Sequence, residues 1–147
     1  MPYFSGPDEE LSVDAAGRVR WGRRAAGLLI VRGDGKILLA KRSEEVLDPG
    51  VWGVPGGRIE PGEDPLDAAI AETVEEMGSL PPVKAVAHDV YRSGGFEYWT
   101  FIVRMSTTNA QKWRPKLNWE NDDWGWFDPD DLPEPLHPNV RETIRKI

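Results

Sequence analysis

The 147-residue chain contains no cysteine, and that absence alone removes several kinds of chemistry. No disulfide framework, thiolate zinc site or cysteine nucleophile can be built from it. Histidine is nearly as scarce: His88 and His137 are the only two, too few for a site built on imidazoles, and neither is assigned a catalytic role. Zinc, which prefers nitrogen and sulfur donors, is correspondingly disfavoured. Long apolar runs are missing as well. No window approaches the roughly eighteen apolar residues of a membrane span, and "MPYFSGPDEELSVDAAGRVR" lacks the basic start and apolar stretch of a secretory signal. A soluble, cytoplasmic protein with no membrane partner is expected. Positive charge is in deficit too: 18 Lys and Arg against 25 Asp and Glu leave a net charge of −7, with no basic patch. Nucleic acid is therefore not the expected partner.

What is present suits one domain large enough to bury a core without staples. The acidic, turn-rich residues 1–17 read as a flexible leader, and residues 18–147 as a single domain. "AAGLLIV" and "ILLAKR" flank the turn "RGDGK" and predict a hairpin. "SEEVLDPGVWGVPGG" follows, a loop whose length points to function. Asp64 and Pro65 supply an N-cap and a first helical position, and Gly78 ends the helix. Val83 to Tyr91 and Tyr98 to Met105 predict a second hairpin, Trp119 to Phe127 a further strand, and Val140, Ile144 and Ile147 a closing helix. Strands on both sides of one helix, with another helix at the end, favour an α/β sandwich with a mixed sheet over a doubly wound sheet.

The helix after Asp64 carries the main chemical signal. Glu72, Glu75 and Glu76 fall within five positions, and at about 100° per residue they share one face, opposite Leu66, Ile70, Thr73, Val74 and Met77. A solvated acidic face is the simplest reading. Against it, like charges at i, i+3 and i+4 repel by a few tenths of a kcal/mol per pair, and the C-terminal half of a helix favours cations. The helix has no Lys or Arg to relieve them. A hard divalent cation such as Mg²⁺ would, since oxygen ligands on adjacent turns converge on one point. Mg²⁺ completes its shell with waters and substrate phosphates, so the cluster points to phosphate chemistry. "PGGRIEPGE", just before the helix, adds two glycines where backbone can approach a ligand, the phosphate-binding candidate Arg58, and the carboxylates Glu60 and Glu63.

As one unit, Gly57, Glu63, Glu72, Glu75, Glu76 and Gly78 resemble the signature of the Nudix hydrolases, which spans Gly57 to Ser79 here. "WGVPGGRIEPGE" and "WFDPDDLP" extend the similarity from about Ala25 onward. The resemblance implies an α/β/α sandwich and hydrolysis of a nucleoside diphosphate derivative or nucleoside triphosphate, by water attacking phosphorus with Mg²⁺, or alternatively Mn²⁺. Carried over by position, it implies Glu72, Glu75, Glu76 and the Gly57 carbonyl as metal ligands, with Glu63 in support. The general base varies within the family; Glu72 is the first candidate and Glu120, in "NWENDD", the second. The partner implied is a small nucleotide, and a homodimer is compatible with the resemblance.

Three positions depart from the pattern. Ala71 stands where the family has arginine, and Thr73 and Ser79 stand where apolar residues are usual. The arginine is expected to orient the neighbouring glutamates, so Ala71 keeps a second reading open: a catalytically weak nucleotide-binding module, unless Arg42 or Arg58 substitutes. The retained glutamates favour the enzyme. An isomerase on the same fold would need the cysteine this chain lacks. Of seven tryptophans, most serve the core; Trp52 and Trp119, in loops near the cluster, are the candidates for stacking on a base, with Phe96 and Tyr98 behind them. Arg42 and Arg58 are the candidate phosphate ligands.

Overall fold

The computed structural model describes residues 11–13, 19–21, 24–93 and 95–146. Strands β1 (Leu11–Val13) and β2 (Val19–Trp21) pair antiparallel as a small separate sheet, so part of the expected leader is a strand. The rest of that leader lies outside the described residues, as does Ile147 of the closing helix. The main sheet has seven strands: β3 (Arg24–Arg32), β4 (Ile37–Arg42), β5 (Trp52–Gly53), β6 (Gly56–Arg58), β7 (Lys84–Ser93), β8 (Phe96–Met105) and β9 (Asn121–Phe127). Among the described residues three helices accompany it: α1 (Pro65–Met77), α2 (Thr107–Lys112) and α3 (Pro138–Arg145). The arrangement is the mixed α/β sandwich expected.

β3 is the spine. Its apolar run is nearly continuous because both faces are covered. Ala26, Leu28 and Ile30 pack on one side with Ala68, Ala69 and Met77 of α1 and Ala110 of α2. Leu29 and Val31 pack on the other with Val140 and Ile144 of α3. Along one edge β3 runs parallel to β8 in nine registered pairs, Arg24↔Glu97 through Arg32↔Met105. β7 then pairs antiparallel with β8 as the predicted second hairpin.

The other edge of β3 is divided. β3 and β4 leave the "RGDGK" turn as a hairpin, yet they share only one registered pair, Val31↔Ile37, before they diverge. β6 takes the vacated edge, pairing Ala25–Gly27 with Arg58–Gly56, while β5 and β9 pair with β4. The sheet thus forks, and the connector through Val54 and Pro55 crosses the fork, where the Pro55 carbonyl accepts from the Leu28 N–H at 3.0 Å. In β9 a bulge opposite Lys41 and Arg42 sets Asn121 against Arg42 and leaves Asp122 without a partner. It turns Asn121 inward, where it is 6% exposed.

α1 forms as the sequence specifies. The Asp64 side chain accepts from the backbone N–H groups of Leu66 and Asp67, Pro65 opens the first turn, and Gly78 closes the helix in the left-handed region at φ 85°. Among the described residues no helix is long and apolar enough to cross a membrane.

The fork depends on glycine. A Cβ on Gly56 would stand 2.4 Å from the Ala26 carbonyl oxygen and 2.4 Å from the Tyr98 hydroxyl. Gly56→Ala should therefore destabilise the fold by about 1–3 kcal/mol, the usual cost of overpacking, read as a lower midpoint in urea. A midpoint equal to the parent's would mean that β6 can lift off β3 without loss.

Candidate active site

α1 crosses the fork with its C-terminal half, and its burial differs from the expected amphipathic pattern. Thr73 and Glu76 are buried at 0% and 4% exposure, whereas Val74 is 42% exposed. The expectation that Val74 packs and all three glutamates share an outer face is thereby corrected. The reason is local. The fork offers Glu76 two donors: Gly56 N–H reaches one carboxylate oxygen at 3.1 Å and the Asn121 amide the other at 2.8 Å. Thr73 is accommodated by donating its hydroxyl to the Ala69 carbonyl at 2.8 Å. Ser79 accepts from the Trp113 indole N–H at 2.9 Å, which explains a polar residue at the helix exit.

The segment between α2 and β9 docks on the end of α1. Lys116 N–H donates to the Met77 carbonyl at 2.7 Å and Asn118 N–H to the Glu76 carbonyl at 3.2 Å, satisfying carbonyls the helix leaves open. Ser43 grips the same segment, its hydroxyl donating to the Trp119 carbonyl at 2.7 Å and its N–H to the Glu120 carbonyl at 2.9 Å. Asn118 donates its side-chain amide to the Glu120 carboxylate at 3.1 Å. Glu120 is thus delivered to α1: carboxylate oxygens of Glu72, Glu76 and Glu120 lie within 4.8 Å of one another. Gly57 lies against Glu72, since a Cβ there would come within 2.5 Å of the Glu72 carboxylate carbon. Glu75 is exposed and stands outside the trio, and Glu63 accepts from the Glu60 N–H at 3.0 Å at the entrance to α1.

The electrostatics follow from this crowding. Burial, then repulsion from Glu75 and Glu120, pushes the Glu72 carboxyl up to about 7. Burial drives Glu76 up to about 8, with the Asn121 and Gly56 hydrogen bonds pulling the other way. The charges that push Glu72 upward, Glu75, Glu120, Glu63 and Glu60, are all carboxylates. A trio of oxygen donors in want of a cation fits a hard divalent ion and does not fit zinc.

A cavity of about 210 Å³ occupies the fork and ends on Glu76 and Asn121. Its α3 side is walled by Phe96, Tyr98 and His137, with ring centroids 6.2 Å apart for Phe96 and Tyr98 and 6.1 Å for Tyr98 and His137. Asn139, 2% exposed, also lines it, and its side-chain nitrogen has no hydrogen-bond partner among the described residues. Arg24, Arg42 and Arg58 complete the wall. Trp52, expected to stack on a base, packs edge-on against Phe127 at 5.1 Å on the α3 side of the core and does not line the cavity. Its β5 backbone pairs with Lys41, which fixes the ring over that core. Trp119 is 62% exposed beside Glu120, outside the cavity wall.

A sequence model of the NUDIX domain matches residues 21–147, the whole of the sheet and its helices. The chain belongs to the NUDIX family. An RNA pyrophosphohydrolase from Erythrobacter litoralis is 29% identical over 144 residues, covering 85% of this chain and 87% of that one. A putative 8-oxo-dGTP diphosphatase from Bacillus subtilis is 30% identical over 121 residues, covering 82% and 76%. In structure the chain is similar to the Nudix hydrolase RenU from M. smegmatis, with TM-score 0.72, 26% identity and coverage of 95% and 96%. It is also similar to a C. elegans Ap4A hydrolase, with TM-score 0.67, 25% identity and coverage of 83% and 93%.

Within this NUDIX domain, Asn121 was not legible as a site residue. The family arginine, replaced by the exposed Ala71, was expected to hold the glutamates, with Arg42 or Arg58 as substitutes. Instead Asn121 and the Gly56 amide hold Glu76, Arg42 donates to the Leu47 carbonyl, and Arg58 pairs with Glu60 at 3.1 Å.

Two outcomes follow from the charge crowding. Both folded-state values lie above the ordinary carboxylate value of 4.5, so between about pH 4.5 and pH 8 the folded chain binds more protons than the unfolded one. The stability this pair contributes is complete below the lower bound and is lost as pH rises through the upper. The metal-free melting temperature should fall across that window, less so in Glu72→Gln, and Mg²⁺ binding near pH 7 should release protons, seen as calorimetric heats that vary with buffer ionisation enthalpy. Heats independent of buffer would show that Glu72 and Glu76 are already ionised. Separately, Ala71→Arg places a cation four residues before Glu75 and should stabilise the metal-free protein by about 0.2–0.5 kcal/mol, measured by urea denaturation.

Proposed function

We propose that the chain hydrolyses the diphosphate linkage of a nucleoside diphosphate derivative or nucleoside triphosphate, with water attacking phosphorus. The observation that carries this reading is the cavity in the fork, which leads from an aromatic wall to Glu76, whose carboxylate clusters with those of Glu72 and Glu120. Its aromatic end suits a nucleobase, with Phe96, Tyr98 and His137 supplying ring faces and the Asn139 amide a donor. Arg42 and Arg58, on the same wall, suit the phosphates. The similarity to an RNA pyrophosphohydrolase, a putative 8-oxo-dGTP diphosphatase and an Ap4A hydrolase supports the same class.

Glu72, Glu76 and Glu120 would hold Mg²⁺ or Mn²⁺, with the adjoining Gly57 carbonyl and Glu75 as further ligands. The ion would supply charge neutralisation at the diphosphate and a more acidic bound water. Glu76, fixed by two donors, serves as a static ligand. Glu72 is half-buried and, among the described residues, is not fixed by such donors, which leaves its carboxylate the candidate general base. Glu120, held through Asn118, is the second carboxylate within reach. The alternative of a weak binding module loses its main support, because Asn121 orients Glu76 without the missing arginine.

The test is product release from nucleoside triphosphates, nucleotide sugars, ADP-ribose, dinucleoside polyphosphates and 5′-triphosphorylated RNA, each with and without Mg²⁺. Metal-dependent release of a nucleotide product is expected, reduced on the order of 10²–10⁴-fold in Glu72→Gln. Equal turnover in that variant, or turnover indifferent to metal, would remove the assignment.

A further inference from the structure

The segment between α2 and β9 carries charge of the sign this chain has least of. "KWRPKLNW", residues 112–119, holds three cations and no carboxylate. The chain leaves α2 through an extended Trp113, and burial then alternates: Trp113 and Leu117 pack against the core that α1 covers, while Lys112, Arg114 and Lys116 are exposed. Alternate residues of an extended segment share one side at about 6.6 Å spacing, so the three cations form a row. Too short to register as a basic patch in the sequence, the row is laid out by this alternation. Among the described residues no carboxylate answers it; Arg114 donates to the Gln111 and Trp113 carbonyls, and neither lysine is paired. Other cations do have such partners, Arg32 with Asp34 at 2.7 Å, Arg141 with Glu134 at 2.9 Å and Lys146 with Asp89 at 3.1 Å.

The row runs into Trp119, which is 62% exposed although its carbonyl is gripped by Ser43. The next residue, Glu120, reaches the carboxylates of Glu72 and Glu76. We propose that Lys112, Arg114, Lys116 and Trp119 form a docking surface for single-stranded nucleic acid, which presents the end of the strand to Glu72, Glu76 and Glu120.

The chemistry of the surface selects this partner. Successive phosphates along an extended strand can follow a row of cations, and an open indole face stacks on any unpaired base. A duplex hides its base faces and would leave Trp119 unused. An acidic peptide would answer the cations and equally leave the indole unused. The surface is also built in advance: the bonds from Trp113 to Ser79, Lys116 to Met77 and Asn118 to Glu76 fix the segment on the end of α1, so little ordering remains to oppose binding. In a chain of net charge −7 the row gives a polyanion a local point of attachment beside the carboxylates.

The placement of the strand's end rests on the diphosphate reading of the site, whereas strand binding does not. The test is fluorescence anisotropy of the full chain with a labelled single-stranded oligonucleotide bearing a 5′-hydroxyl, in Mg²⁺ and over a range of salt. Three neutralised phosphates predict that the logarithm of the affinity falls against that of salt with a slope of about −2. Lys112→Gln, Arg114→Gln and Lys116→Gln combined should flatten the slope to near zero and leave turnover of a mononucleotide unchanged. Trp119→Ala should raise Kd roughly tenfold with the slope retained, a separation of stacking from charge that a general loosening would not produce. Should the triple variant have a lower urea midpoint than the parent, Lys112→Glu alone should weaken binding and reduce the slope. No binding at low salt, a duplex or polyglutamate bound as tightly as the strand, or a slope unchanged in the triple variant would overturn the proposal. Strand binding as expected with no turnover of any nucleotide would leave the surface standing and remove the hydrolase reading instead.

Discussion

A carboxylate that is 4% exposed has to be answered by its surroundings, and the answer given to Glu76 shapes this molecule. Burying such a group without partners costs several kcal/mol. Its two oxygens instead receive the Gly56 N–H and the Asn121 amide, which come from strands on opposite arms of the fork. α1 is thereby pinned across a gap that ordinary sheet pairing would have closed. The gap is the cavity. The glycines beside it, the bulge that turns Asn121 inward and the docking of the segment before β9 all serve the same contact.

The same contact explains how the site works around what it lacks. An arginine on α1 would act on the glutamates through charge. The amide of Asn121 acts through geometry, fixing one carboxylate without neutralising any, and so leaves the trio short of positive charge. A cation bound at the proposed centre would draw binding energy from relief of repulsion already present in the folded chain.

Much of the architecture was legible because it is local. Asp64, Pro65 and Gly78 mark α1 at both ends, and the turns after Arg32 and Arg92 announce their hairpins. The spacing of Glu72, Glu75 and Glu76 marks an acidic cluster, of which the structure brings Glu72 and Glu76 together with Glu120 and leaves Glu75 outside. What was not legible depends on non-local pairing. The divergence of β3 from β4 has no sequence mark, since both strands read as partners along their whole length, and the short strand β6 hides inside a glycine-rich loop. Which face of α1 is buried was misjudged at Val74 and Glu76 because periodicity assumes an apolar neighbour, and here the neighbour is a pair of hydrogen-bond donors. Trp52 was drawn to the site by its loop and claimed by the core.

The parallel pairing of β3 with β8 also bears on how the chain reaches this state. Arg24 and Glu97 are 73 residues apart, and eight further pairs depend on the same distant partner. Contacts of such long sequence separation form late and slow folding, because the intervening chain must be ordered before they repay its entropy. During synthesis the apolar core of β3 emerges well before β8 exists, with one edge open through the making of β4, α1 and β7. The strand that later supports the whole sheet is therefore, for that interval, the segment most exposed to aggregation and the one most in need of shielding.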